Sequence, residues 1–455
     1  MTALTTVTLV YPYFQPANDN SIFRFPPLGL GYLAANLKRH GVQVQLVDCT
    51  FLDEEEALDR IRRSQPRMIG LQVMFSMKEK AIEFAQLLRR DCEVLVAGGP
   101  LPTSNPDEFL SYFDVVVVGE GERTLLELVN AVENGTNLGN VAGVVFKENG
   151  QIKRAAPRGF IDDLDAVPFP SRELFDNEAY RRYYRRSFGY TTTSVMTSRG
   201  CPFQCDFCSM PVFGNRFRAR TAANVADEVE EVQGLGYERV WFADDCFTLN
   251  RNRLLSICDE LISRCIHVGW ECLSRVDTVD LEVAKRMRDA GCVRVFFGIE
   301  SGNDMILKVM RKHATVKQAR EAVEVFRKAG VQTGAFFILG YPGEDEETIL
   351  DTVNFASSLP LDYLSFTFPY PIPGTPLFER VKDRMMHEDW KEPAGFHLVK
   401  HRLLFHSCFS ENKLKFALFK GMIQFYLRKY TGKKGYGLLG RPVERVTETV
   451  YRVLP

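Results

Sequence analysis

The segment Thr197-Ser198-Arg199-Gly200-Cys201-Pro202-Phe203-Gln204-Cys205-Asp206-Phe207-Cys208 sets three thiols in the spacing Cys-x-x-x-Cys-x-x-Cys. Three thiolates hold three irons of a 4Fe–4S cluster and leave the fourth open to a small molecule. Ferredoxin-type sites close every iron with cysteine, so an open iron points to chemistry rather than electron storage. A structural zinc site also needs a fourth ligand, often a second Cys-x-x-Cys, and the chain has no second pair. Cys246, Cys258, Cys265, Cys272 and Cys292 are singletons, most on apolar faces where free cysteine packs as a small hydrophobe. The candidate cluster ligands are therefore Cys201, Cys205 and Cys208.

These thiols must be positioned by the elements around them. From 191 to about 375 strand-like and helix-like runs alternate. Strands are expected at Thr193–Thr197, Arg239–Ala243, Val268–Leu273, Val293–Ile299, Gln332–Leu339 and Tyr363–Phe368. Apolar stripes such as Val225, Val229 and Val232, or Ala319, Ala322, Val323 and Phe326, mark helices between them. Six βα units predict a partial barrel, whose chemistry sits at the carboxyl ends of the strands. Those ends carry Arg199, Asp244 and Asp245, Ser274 and Arg275, Glu300, Ser301 and Gly302, the turn Gly340 to Gly343, and Tyr370.

The first 150 residues alternate in the same way. Strands are expected at Thr6–Val10, Val42–Val47, Met68–Val73, Glu93–Ala97 and Val115–Gly119. Such alternation predicts a parallel, doubly wound, Rossmann-like sheet that binds a ligand beyond its strand ends. Gly98-Gly99-Pro100, Gly119-Glu120-Gly121-Glu122 and the loop Tyr11 to Pro27 stand at those ends. Neither Gly29-x-Gly31 nor Gly119-x-Gly121 completes the Gly-x-Gly-x-x-Gly of a dinucleotide site. Residues 151–190, with Pro157, Pro168 and Pro170, read as a linker, and the run Tyr180 to Arg186 reads as a solvated helix. The barrel is assigned to 191–380 and a helical region to 381–455. Within the latter, Leu414–Tyr430 reads as a helix packed on the barrel or sheet rather than lying on a membrane.

The chain has 455 residues, a net charge of −1 and eleven cysteines. That charge makes no case for nucleic acid or an anionic membrane surface. No run approaches the ~18 apolar residues that span a bilayer, and the start shows no secretory pattern. The expectation is a cytoplasmic protein without stable membrane insertion, its thiols reduced or metal-bound.

The cysteine motif followed by six βα units resembles the radical S-adenosylmethionine enzymes. The first domain resembles the cobalamin-binding domain fused ahead of the barrel in one large subclass. Pro26 to Ala34, Val47-Asp48, Gly98-Gly99-Pro100 and Val118 to Glu122 carry that likeness. The resemblance implies three cofactors: a 4Fe–4S cluster, S-adenosylmethionine on its open iron, and cobalamin. It implies roles for Asp244 or Asp245 at the amino group of S-adenosylmethionine, Arg275 at its carboxylate and Glu300 and Ser301 at the ribose. Gly340 and Tyr370 are implied near the adenine. Met74, Phe75 and Ser76 are implied at the lower face of the corrin, with Gly98, Gly99, Gly119 and Glu120 also in the cobalamin site. The Asp-x-His-x-x-Gly signature that gives histidine to cobalt is absent, and Leu101 stands where many relatives have histidine.

The activity implied is methylation of an unactivated carbon, or a phosphinate phosphorus, of a small molecule. Methylcobalamin would supply the methyl group and a 5′-deoxyadenosyl radical would remove hydrogen. A one-electron reductant such as flavodoxin or ferredoxin would be the partner. Oxidative cyclisation or ring rearrangement on the same cofactors stays open. Methylthio transfer fits poorly, because Cys49 and Cys92 cannot form a three-thiol motif. A non-enzymatic cobalamin or redox sensor is the reading of another class, and it leaves the polar strand ends without a use. Trp390, Phe396, His397, His401 and His406 are candidates to line a substrate pocket, with surface or core roles favoured.

Overall fold

The computed structural model describes residues 6–15, 21–208, 212–386 and 402–454. It divides into two compact units: Met1–Cys201 with Met210–Trp241, and Pro202–Ser209 with Phe242–Pro455.

The first unit is built on a seven-stranded sheet. Its strands are β1 (Thr6–Tyr11), β2 (Gln43–Asp48), β3 (Met68–Gln72), β4 (Val94–Gly98), β5 (Val115–Val117), β6 (Val144–Glu148) and β7 (Gln151–Arg154). The order is β2-β1-β3-β4-β5-β6-β7. The first five pair in parallel, and β6 and β7 add antiparallel. Val7 and Leu9 face one core; Val10, Ile69 and Leu71 face the other. This alternation follows from side chains pointing to opposite faces of a strand. Helix Leu28–Arg39 packs Leu30, Ala34 and Leu37 onto the first face, while helix Lys78–Leu88 packs Ala81, Phe84, Ala85 and Leu88 onto the second. The order 2-1-3-4-5 reverses direction between β1 and β3, which is where a doubly wound sheet opens a crevice.

Residues 151–154 thus belong to the first sheet, and the segment expected as a linker is packed rather than slack. In helix Asn177–Phe188, Tyr180 and Tyr184 are fully buried, one turn apart, while Arg182 and Arg186 face outward. The Tyr180 hydroxyl donates to Asp48 Oδ2 at 2.7 Å, and the Tyr184 hydroxyl to the Ile22 carbonyl. Buried Arg172 donates to Glu228 and to the Ser194 carbonyl. The charges of this helix are plain in the sequence; its buried aromatic face is not, and the solvated reading is corrected. The unit continues through β8 (Thr192–Val195) and the two-residue pair β9 (Ser198–Arg199) and β10 (Arg218–Ala219), then reaches β11 (Arg239–Phe242).

The second unit carries β12 (Gly269–Ser274), β13 (Cys292–Glu300), β14 (Gln332–Ile338) and β15 (Tyr363–Thr367), parallel neighbours in chain order. All six strands expected after residue 191 are present, alternating with helices. Helix Val316–Ala329 begins at a capping box formed by Thr315 and Gln318 and ends at Gly330, which has φ 80°. Gly330 takes the left-handed cap without the clash a side chain would bring. Helix Glu411–Gly435 packs on helix Glu346–Ser358. There Lys420 donates to Asn354, and Gln424 accepts from Ser357. A side chain at Gly421 would meet the Phe366 ring, so the helix approaches β15 closely. This agrees with the packed reading of that segment. Among the described residues, no helix is long and apolar enough to cross a membrane.

Candidate active site

The cysteine loop is anchored by the residue that follows its second thiol. Asp206 is fully buried. Its Oδ2 accepts the Tyr341 hydroxyl at 2.6 Å and Arg380 Nη2 at 2.8 Å. Its backbone N–H donates to the Met310 carbonyl, and its carbonyl accepts from Leu377 N–H. One residue thus ties the loop to three segments that follow strand ends. None of the three cysteines is in a disulfide: Cys201 is half-buried, Cys205 buried and Cys208 exposed. Among the described residues, no three His, Cys, Asp or Glu side chains are gathered closely enough to hold a metal as they stand.

Two buried cations, Arg275 and Lys312, interact electrostatically with Cys205. The Arg275 guanidinium stacks over the Phe203 ring at 3.6 Å, donates twice to Asp277 and donates to the Lys312 carbonyl. Lys312 Nζ donates to Glu300 Oε1 at 2.8 Å and lies over the Phe207 ring. Burial opposes the charge on Lys312, but Glu300 and Cys205 together hold its pKa above the usual lysine value. Burial opposes Arg275 as well, and Asp277 and Cys205 outweigh it. Glu300 follows an irregular register at the end of β13 and has φ 73°. A non-glycine residue held there is strained, and such strain gathers at functional sites.

The other expected residues lie as follows. Asp244 is buried and Asp245 exposed. The Ser301 hydroxyl sits 3.0 Å from that of Thr352 and accepts from Asn303 N–H. Gly340 has φ 85°, and its N–H donates to Glu344 Oε2, as does that of Tyr341. Glu344 is buried, its Oε1 has no partner, and burial pushes its pKa up to about 8. Tyr370 is half-buried. His406 is exposed, and Trp390, Phe396, His397 and His401 lie outside the described residues.

At the carboxyl edge of the first sheet, Gly99 has φ 105°, and a side chain there would press on the Val73 carbonyl. Gly119 has φ 81°, and its N–H donates to Thr103. Met74, two residues past the end of β3, is 36% exposed, with Phe75 and Ser76 half-buried beside it. Gln72 Oε1 is buried without a partner at the end of β3. Leu101 is core. Glu120 is engaged by Arg199 and Arg218, and its Oε2 accepts from Ile161 N–H.

A model of the radical SAM superfamily matches residues 195–356, and a model of the B12 binding domain matches residues 17–129. An uncharacterized methyltransferase of Pyrococcus horikoshii is 34% identical over 419 residues, covering 89% of this chain and 88% of that protein. The chain belongs to the cobalamin-dependent radical S-adenosylmethionine methyltransferases. An anaerobic magnesium-protoporphyrin IX monomethyl ester cyclase of Cereibacter sphaeroides is 28% identical over 85% of this chain and 65% of its own length. The radical enzyme OxsB, solved with aqua-cobalamin and S-adenosylmethionine, superposes with a TM-score of 0.76 at 19% identity, over 98% of this chain and 72% of that one. The methyltransferase TsrM of Kitasatospora setae, solved with cobalamin and a [4Fe-4S] cluster, gives 0.70 at 22% identity, over 84% and 75%. These two share the fold.

The residues of this radical S-adenosylmethionine enzyme suit the family's cofactors. Three unbridged thiols, with two buried cations that interact electrostatically with Cys205, match a cluster whose thiolate ligands bring excess negative charge. The edge of the first sheet offers left-handed glycines, an exposed methionine and an unpartnered buried amide oxygen, which suit a large ring with amide side chains. Asp206, Lys312, Glu344 and Gln72 escaped the sequence reading. Glu344 directly follows the quoted turn Gly340 to Gly343, and Asp206 lies inside the cysteine motif, so position alone was a signal for both. No pattern marks Lys312.

Proposed function

We propose that this enzyme methylates an unactivated carbon, or a phosphinate phosphorus, of a small molecule. The observation that carries this reading is the fusion of a cobalamin-type sheet to a loop of three thiols in one chain. When bound, the cluster with S-adenosylmethionine supplies hydrogen abstraction, and cobalamin supplies the methyl group. The chain's own residues position and neutralise. Asp206 holds the cysteine loop, and Arg275 and Lys312 offset its negative charge. Glu344 shapes the turn at Gly340. Arg275, Glu300, Ser301, Asp244 and Asp245 are proposed contacts of S-adenosylmethionine, and Met74 to Ser76 of the corrin. A reduced flavodoxin or ferredoxin supplies the electron.

The test is anaerobic reconstitution with iron, sulfide and hydroxocobalamin, followed by mass spectrometry of the products of S-adenosylmethionine. Methyl transfer yields S-adenosylhomocysteine together with 5′-deoxyadenosine, and a product heavier by a methyl unit. Turnover giving 5′-deoxyadenosine with neither S-adenosylhomocysteine nor a methylated product rejects it. The likeness to a cyclase keeps a second reading in play, oxidative cyclisation, whose product carries no added methyl.

A further inference from the structure

The turn Gly119-Glu120-Gly121-Glu122 was expected at the cofactor, yet both of its carboxylates are committed elsewhere. Arg199 Nη1 donates to Glu120 Oε1 at 2.9 Å, and Arg199 Nη2 donates to Glu122 Oε1 at 2.5 Å. Arg218, opposite Arg199 in the β9–β10 pair, donates to both oxygens of Glu120. All four side chains are at least nine-tenths buried. Two carboxylates meet two guanidinium groups, so the cluster carries no net charge.

Burying four charges is a poor way to gain stability, because desolvation cancels most of the attraction. Buried ion pairs are better attested as devices that fix register. The register here is specific. Glu120 and Glu122 stand at the carboxyl edge of the first sheet, where helix Gly121–Asn134 begins. Arg199 lies two residues before Cys201. The tether between them is stiff. Gly200 has φ 83°, and a side chain on it would strike the Arg216 carbonyl. Cys201 N–H donates to the Gly214 carbonyl. The Arg199 guanidinium also packs between the Tyr32 and Phe213 rings, at 5.4 and 5.1 Å. Tyr32 belongs to helix Leu28–Arg39, which packs on one face of the same sheet.

We infer that Glu120, Glu122 and Arg199 are positioning residues that set where Cys201, the first cluster ligand, stands relative to the corrin-bearing edge of its own sheet. A radical made at the cluster and a methyl group carried on cobalt are useful together only at a fixed separation. The inference uses the cofactor set alone and holds for methylation and cyclisation alike.

The test reads that separation spectroscopically. Protein carrying Glu122→Gln, and separately Arg199→Lys, is reconstituted anaerobically with iron, sulfide and hydroxocobalamin. It is then reduced until cluster and cobalt are both paramagnetic. The microwave power that half-saturates the cobalt signal reports its distance from the fast-relaxing cluster. The expected result is near-normal iron and cobalamin content in both variants, with that power shifted severalfold from the unmodified protein. Arg67→Ala, a surface control, leaves it unchanged. An unchanged half-saturation power in both variants overturns the inference. So does loss of cobalamin with the cluster retained, which would make the carboxylates ligands of the corrin. Arg199→Lys keeps the buried charge and carries the test by itself if Glu122→Gln does not fold.

Discussion

The Asp206 carboxylate accepts the Tyr341 hydroxyl at 2.6 Å, joining the cysteine loop to the turn after β14. Asp206 Oδ1 has no partner, so Oδ2 makes both of the carboxylate's bonds, to Tyr341 and Arg380. Tyr341→Phe removes one of two bonds to a buried carboxylate, a loss of about 1.5–3 kcal/mol. The variant should unfold at a lower temperature. It should also retain less iron and sulfide per chain after anaerobic desalting, both read against the unmodified protein.

Glu344 gives a signed dependence on pH. Its carboxyl titrates at about 8 in the fold against an ordinary 4.5. Between those values the unfolded chain has lost the proton and the native state still holds it. Native stability therefore falls as pH rises through this window and levels off above about 8, by on the order of 5 kcal/mol at most. Glu344→Gln keeps an oxygen for the N–H groups of Gly340 and Tyr341 and removes the titration. Its melting temperature should exceed that of the unmodified protein at about pH 8.5 and lose the advantage near pH 5.5. Parallel pH profiles for the two proteins would contradict this assignment.

Gly200 offers a backbone test. Its φ of 83° and the nearby Arg216 carbonyl leave no room for a methyl group. Gly200→Ala should lose most of its cluster loading. Far-UV circular dichroism should stay close to native, because the seven-stranded sheet lies elsewhere in the chain.

Thiol chemistry should sort the cysteines by environment. Cys208, Cys265 and Cys408 are exposed, whereas Cys49, Cys258, Cys272 and Cys292 are buried. Burial pushes the Cys258 thiol up to about 12 and makes it a poor nucleophile. In cluster-free protein a thiol reagent should label the three exposed cysteines quickly, as read by mass spectrometry of peptides. Cluster assembly should protect Cys208 and leave Cys265 and Cys408 reactive.

The parallel strands were legible because buried strands are continuous apolar runs bounded by turns. Met68–Gln72 and Gln332–Ile338 fall within a residue of the expected bounds. The hairpin β6–β7 was not legible. Residues 151–154 are exposed on both faces and carry no apolar rhythm, so they read as linker. The inward turn of Tyr180 and Tyr184 was hidden by the arginines around them. In the site, motif residues were visible by spacing. Lys312 beside Glu300, and Asp206 beneath Tyr341, depend on contacts across the fold that leave no local period.

Strand β7 also leaves one edge of its sheet open among the described residues. As the last strand of its sheet, it presents unpaired backbone on one side, a template for pairing with another chain. Lys153 and Arg154 sit on that exposed strand. A second chain pairing there would have to accommodate the Lys153 charge and the Arg154–Asp107 ion pair. A charged edge strand of this kind disfavours extension of the sheet on the β7 side.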